Sequence, residues 1–263
     1  MSSPSSSIAW FARVTAARGP AYARLDGDTL VLLDHAPWAS PRETGERMAL
    51  QDAKLLVPCL PSKIICVGLN YALHVAESQT ASVAPEEPML FFKPPSALVA
   101  VGEPIVLPHG VGRVDHEVEM ALVVGTGLHR ATPDEARAAL FGVTALNDVS
   151  ARVLQKKDGQ WGRAKGFDTF CPLGPGIARG LDPDALGLRA RVNGTLRQDG
   201  NTRDLLVKSA DLLAFVSRVM TLEPGDVLST GTPAGIGPLV PGDVVEIEVD
   251  GVGKLANPVV AEA

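Results

Sequence analysis

The sequence predicts an α+β protein in which short strands far outnumber helices. X-Gly pairs sit between apolar runs at three places, and the string Pro-Gly-Asp-Val twice feeds an apolar run. Only two stretches carry helical spacing, so the regular strand–helix alternation of a doubly wound sheet is absent.

In chain order, Met1 to Ser7 is Ser-rich and lacks a basic segment followed by an apolar one, which reads as a frayed terminus rather than a signal peptide. Asp26-Gly27 precedes Thr29-Leu30-Val31-Leu32 and supplies the positive φ of a tight hairpin. Residues Trp38 to Cys59 are more polar and less patterned, and read as the join between a small N-terminal β unit (1–60) and a main body (61–263). Thr132-Pro133-Asp134-Glu135 offers a cap, a first-turn proline and first-turn acids, predicting a helix to Leu140. Asn193-Gly194 inside Leu188 to Leu196 predicts a second hairpin. Leu212, Leu213, Val216, Val219 and Met220 place a second helix over Ser209 to Leu222. Pro224 to Val227 and Pro241 to Val244 are turns into strands, and Asp250-Gly251 closes a third hairpin after Val249.

Composition narrows the function. Apolar residues make up 46% of the 263 residues and charged residues 21%, which is ordinary globular usage. The formal charge of −6 provides no basic excess for nucleic acid, and no apolar run approaches a bilayer span. Cys59, Cys66 and Cys171 have no metal-ligand spacing and read as reduced, buried thiols of a cytoplasmic protein.

The chemistry concentrates in Asp115-His116-Glu117-Val118-Glu119-Met120-Ala121-Leu122-Val123-Val124. Read as one strand, it points Glu117 and Glu119 the same way, about 7 Å apart, beside apolar neighbours. Like charges so placed call for a cation. Leu140 to Leu146 is an apolar run ending in Asn147-Asp148, which sets a third acid at a strand tip. An all-oxygen donor set favours Mg²⁺ or Mn²⁺, with Ca²⁺ as an alternative. The competing reading is an edge strand whose paired acids face solvent. Glycoside hydrolysis is excluded, because neighbours on one strand cannot face each other across a substrate.

Five segments in register carry more. Val67-Gly68-Leu69-Asn70-Tyr71 with His74 and Glu77, the Glu117-Val118-Glu119 pair, Asn147 to Arg152, Trp161 to Pro175 and Ser229 to Gly237 together resemble the fumarylacetoacetate hydrolase family, from about Lys63 to Val260. The resemblance implies a core of rolled, mixed β-sheets, a homodimer and a divalent metal held by Glu117, Glu119 and Asp148. It further implies Lys165, Arg152, Gln155, Gly231, Thr232, Asn70, Tyr71 and Lys93 around the substrate, with His74 and Glu77 as catalytic residues beside Lys165.

The implied activity is hydrolysis of a C–C bond in small 2,4-diketo acids, of acylpyruvate or fumarylpyruvate type, through an enolate held by that metal. His74 and Glu77, spaced i, i+3, share one face of a helical turn and can activate water. Related members decarboxylate oxaloacetate or isomerise 2-hydroxyhepta-2,4-diene-1,7-dioate on the same site. A non-catalytic metal-binding β domain is the rival from another class. His35, His109, His116 and His129 have no partner pattern and read as non-catalytic, and Lys156-Lys157 reads as a solvated turn. The stretch from Ser78 to Pro88 is expected to close over the substrate.

Overall fold

The computed structural model describes residues 8–77 and 83–263. The expected hairpins form. Gly19–Asp26 and Thr29–Leu33 join through Gly27-Asp28, one residue beyond the expected pair, Gly187–Val192 and Thr195–Asn201 through Asn193-Gly194, and Val244–Val249 and Gly253–Ala261 around Asp250-Gly251. Both expected helices form too, over Pro133–Ala139 and Ser209–Val219. The first opens with a complete capping box between Thr132 and Glu135.

Twelve strands form one large sheet. From one edge its main path runs Glu43–Ala49, Thr29–Leu33, Gly19–Asp26, Ala9–Ala16, Cys171–Arg179, Leu140–Asn147, Val118–Val124, Val227–Ser229, Ile64–Gly68 and Met89–Lys93. A five-stranded sheet and a three-stranded sheet complete the mixed β architecture, with parallel pairs such as Val227–Ser229 beside Ile64–Gly68. The first strands continue the large sheet, because Ala9–Ala16 pairs directly with Cys171–Arg179. Among the described residues no helix is long and apolar enough to cross a membrane.

Val118–Val124 is buried on both faces. Val118, Met120, Leu122 and Val124 enter one apolar cluster, while Ala121 and Val123 enter another. This is the alternation expected of a strand with period two. One expectation needs correcting: the run from Asp115 is not a single strand. Val114–His116 belongs to the three-stranded sheet, and the chain steps out of the ladder at Glu117. There the Glu117 N–H donates to Asn147 Oδ1 at 3.0 Å, and the Asp148 N–H donates to the Glu117 carbonyl at 2.9 Å. The step swings Glu117 towards Asp148. The three cysteines are free and buried, and burial pushes the Cys171 thiol up to about 12.

Candidate active site and metal centre

Glu117, Glu119 and Asp148 come together, all buried, with one carboxylate oxygen of each within 4.8 Å of the others. The backbone fixes that spacing, since Val118 pairs with Asn147 in the antiparallel ladder. Lys165 Nζ lies 2.9 Å from Glu117 Oε2 and 2.5 Å from Asp148 Oδ2. Glu119 instead accepts from the Ser229 hydroxyl and from the Gly231 N–H at 2.9 Å, both at Oε2.

The charges respond accordingly. Burial works against the Glu117 carboxylate, but Arg152 and Lys165 outweigh it and hold the group well below the usual range. Burial, followed by the charges of Asp148 and Glu117, pushes Glu119 well above that range. Lys165 is raised, because Asp148 and Glu117 overcome the burial that disfavours its charge. Three converging buried carboxylates, one of them strongly disfavoured as an anion, suit a hard divalent cation.

A cavity of about 730 Å³ opens onto this triad. His74, Glu77, Arg152, Gln155, Lys165 and Thr232, all singled out in the sequence, line it. His74 is only 8% exposed, and its Nδ1 lies 3.7 Å from Glu77 Oε2, within ion-pair range but beyond a hydrogen bond. Burial lowers the imidazole below its ordinary value, with Glu117 opposing, which favours the uncharged ring. The Glu77 carboxylate also accepts the Gly235 N–H at 3.0 Å, tying this helix to the turn that carries Thr232.

All three nitrogens of Arg152 are engaged. Its Nε donates to Asp115 Oδ2 at 2.8 Å, its Nη1 to Gln155 Oε1 at 2.9 Å and its Nη2 to Glu117 Oε1. Asp115 is buried and is gripped from its other side by Arg113, which also lines the cavity. Four acids, Asp115, Glu117, Glu119 and Asp148, thus meet Lys93, Arg152, Lys165 and the rim residue Arg113. An added divalent cation turns such a site net positive, as an anionic substrate requires.

Four residues expected at the substrate stand behind the cavity wall instead. Lys93 Nζ donates to the carbonyls of Val149, Lys165 and Phe170 at 3.1, 2.6 and 2.8 Å and lies 2.8 Å from Asp148 Oδ1. An ammonium so surrounded has no donor left for a ligand. The Asn70 side chain clamps backbone groups of Val207 and Thr230. Tyr71 is packed in the main apolar cluster. Gly231, at φ +98°, holds Glu119, and a Cβ there would meet Asn70 Cβ at 3.0 Å. Lys156, read as solvated, lines the cavity from the last turn of the helix Arg152–Asp158. Residues 78–82 of the expected closing segment lie outside the described residues.

Sequence reasoning missed the apolar wall and two polar supports. Phe91 and Trp161 pack edge to face with centroids 5.2 Å apart, and Lys165 Nζ sits 4.9 Å from the Phe91 centroid. Gly68 makes room for this, since a Cβ there would lie 2.7 Å from Trp161 Cζ3. The supports are Asp115, for which Arg113 two residues earlier is a local signal, and Gln198, for which no local signal exists.

Comparison with known proteins places the chain in a family. The family model described as "Fumarylacetoacetate (FAA) hydrolase C-terminal" matches residues 63–260, and "Rv2993c-like, N-terminal" matches residues 11–58. The chain is 43% identical over 197 residues to an oxaloacetate tautomerase of Escherichia coli, covering 72% of this chain and 89% of the relative. The crystal structure of a 2-hydroxyhepta-2,4-diene-1,7-dioate isomerase from Mycobacterium marinum superposes with a TM-score of 0.89 at 40% identity, covering 97% of this chain and 99% of that one. A maleylpyruvate hydrolase from Sphingobium sp. SYK-6, solved with manganese(II) and pyruvate, gives 0.79 at 32% identity, covering 97% and 100%. Matched along three quarters of its length by the family model and along nearly all of it by the isomerase, the chain belongs to the fumarylacetoacetate hydrolase family of enzymes.

Proposed function

We propose that the protein is a divalent-metal-dependent hydrolase that cleaves the C3–C4 bond of a small 2,4-diketo acid and releases pyruvate. The observation that carries this reading is the buried His74, which lines the same cavity as the acid triad with Glu77 3.7 Å from its Nδ1. Glu117, Glu119 and Asp148 would hold Mg²⁺ or Mn²⁺, which supplies Lewis acidity at the 2-oxo oxygen. The manganese and pyruvate of the maleylpyruvate hydrolase support that expectation.

This chain's own groups account for the other roles. Thr232 receives the carboxylate end of the acid. His74 takes a proton from water as the oxygen adds to C4, and Glu77 stabilises the resulting imidazolium. The C3–C4 bond then breaks with its electron pair passing to C3, and His74 returns a proton there. Phe91 and Trp161 keep bulk water from the reacting carbons.

Keto–enol tautomerisation of oxaloacetate is a second reading, favoured by the 43% identity to the Escherichia coli tautomerase. It uses the same proton at C3 and consumes no water. Decarboxylation and dienedioate isomerisation draw on the same site.

The test is pyruvate formation from acetylpyruvate with Mg²⁺, Mn²⁺ or a chelator, with oxaloacetate run in parallel. Metal-dependent pyruvate, falling by about 10²- to 10⁴-fold in His74→Ala with Mn²⁺ affinity retained, is expected. Oxaloacetate enol turnover without acetylpyruvate cleavage would move the assignment to tautomerase, and loss of CO₂ to decarboxylase. Inactivity on both, despite tight Mn²⁺ binding, would leave the non-catalytic metal domain.

A further inference from the structure

Gln198 is the buried exception in an otherwise exposed stretch of the strand Thr195–Asn201. Its Oε1 lies 2.9 Å from the Val118 N–H and 3.1 Å from His116 Nδ1, and its Nε2 lies 2.8 Å from Thr232 Oγ1 and 2.7 Å from the Pro233 carbonyl. Two of these partners settle the amide's orientation. The Val118 N–H can only donate and the Pro233 carbonyl can only accept, so Oε1 must face the first and Nε2 the second.

The other two contacts then have fixed directions. His116 must carry its proton on Nδ1 to donate to Oε1. Thr232 Oγ1 must accept from Nε2, which leaves the hydroxyl proton to be donated elsewhere. Its remaining protein contact, to the carbonyl of Pro233, is at 3.5 Å, the outer limit of a hydrogen bond. Thr232 lines the cavity, so an anionic ligand there is the better acceptor.

We propose that Gln198 is a positioning residue that commits the Thr232 hydroxyl as a donor to the carboxylate of the bound acid. The inference rests on the proposed function. Through Val118 N–H, the same amide ties the Thr-Pro turn to the backbone between the two glutamate ligands. A glutamate at 198 would keep both acceptor contacts and lose both donor contacts. The Thr232 hydroxyl would then donate to that carboxylate and turn a lone pair to the ligand.

The experiment is titration of oxalate into Mn²⁺-loaded protein by calorimetry, comparing wild type, Gln198→Met, Thr232→Val and the double variant. Each single variant is expected to weaken oxalate about tenfold, the effect of one lost hydrogen bond to a charged group. The double variant is expected to bind within about twofold of Thr232→Val, because Gln198 acts through that hydroxyl. Mn²⁺ affinity, titrated alone, should stay within about threefold of wild type.

Losses that multiply to about a hundredfold in the double variant would overturn the proposal, as would a Gln198→Met variant that binds oxalate like wild type. If Gln198→Met does not fold, the same cycle run with Gln198→Leu decides it by the same criterion. Wild-type protein that binds Mn²⁺ but not oxalate would defeat the functional reading itself, and this inference with it.

Discussion

Replacing Lys93 by Met removes a charge that is 1% exposed and surrounded by three carbonyls and Asp148. Breaking a buried ion pair by deleting one partner costs about 3–5 kcal/mol, because the other charge is left uncompensated. Met fills the volume, so little cavity term is added. An unfolding entropy of about 2.1 cal/mol/K per residue over the 263 residues amounts to roughly 0.55 kcal/mol/K. A 4 kcal/mol loss therefore corresponds to a fall in Tm of about 7 °C, read by calorimetry on metal-free protein. Mn²⁺ should restore more stability to the variant than to wild type, since Asp148 regains a cationic neighbour on binding. KM for the keto acid should stay within about threefold. An unchanged Tm accompanied by a KM raised tenfold or more would refute the reasoning and return Lys93 to the substrate.

Glu119→Gln should weaken Mn²⁺ by about 100-fold, the upper end of losses seen for perturbed metal sites, as measured by isothermal titration. The raised Glu119 also makes the metal-free protein pH-sensitive: the folded state holds this proton more tightly than the unfolded state does. Its contribution is complete below the ordinary value of 4.5 and declines as pH rises towards the folded value. Metal-free Tm should accordingly fall more with rising pH in wild type than in Glu119→Gln, with saturating Mn²⁺ removing the difference. Gly68→Ala would force a Cβ to within 2.7 Å of Trp161 and should cost about 1–3 kcal/mol, with a change in Trp fluorescence. Lys156→Ala should raise KM for dicarboxylic substrates while leaving monocarboxylic ones unchanged, since Lys156 lines the cavity as a rim cation.

Local chemistry was legible in the sequence. The hairpins follow from glycines that supply the positive φ of a tight turn, and Glu117, Glu119 and Asp148 stood out because acids interrupted strongly apolar runs. Alternation alone could not reveal that the chain leaves the ladder at Glu117, because the pattern continues through the break. What stops it is the hydrogen bond that the Glu117 N–H donates to Asn147 Oδ1, thirty residues away. Lys93 was placed near the site, yet its neighbours are carbonyls from three separate segments, which no spacing encodes. Gln198 was invisible for a similar reason. Its flanking residues are exposed, and only the meeting of its strand with the Thr232 turn buries it.

The carboxylates and the cations around them are held by different kinds of structure. Glu119 and Asp148 sit on paired strands of the large sheet or at their ends, where the backbone ladder sets their separation. Arg152 and Lys165 lie on helices of seven and four residues, far too short to persist in isolation. For an engineer this is a modular layout. The sheet is the chassis that spaces the acids, and the 152–165 segment is the module that sets their charge, so an exchange there must bring its own partners for Glu117 and Asp148.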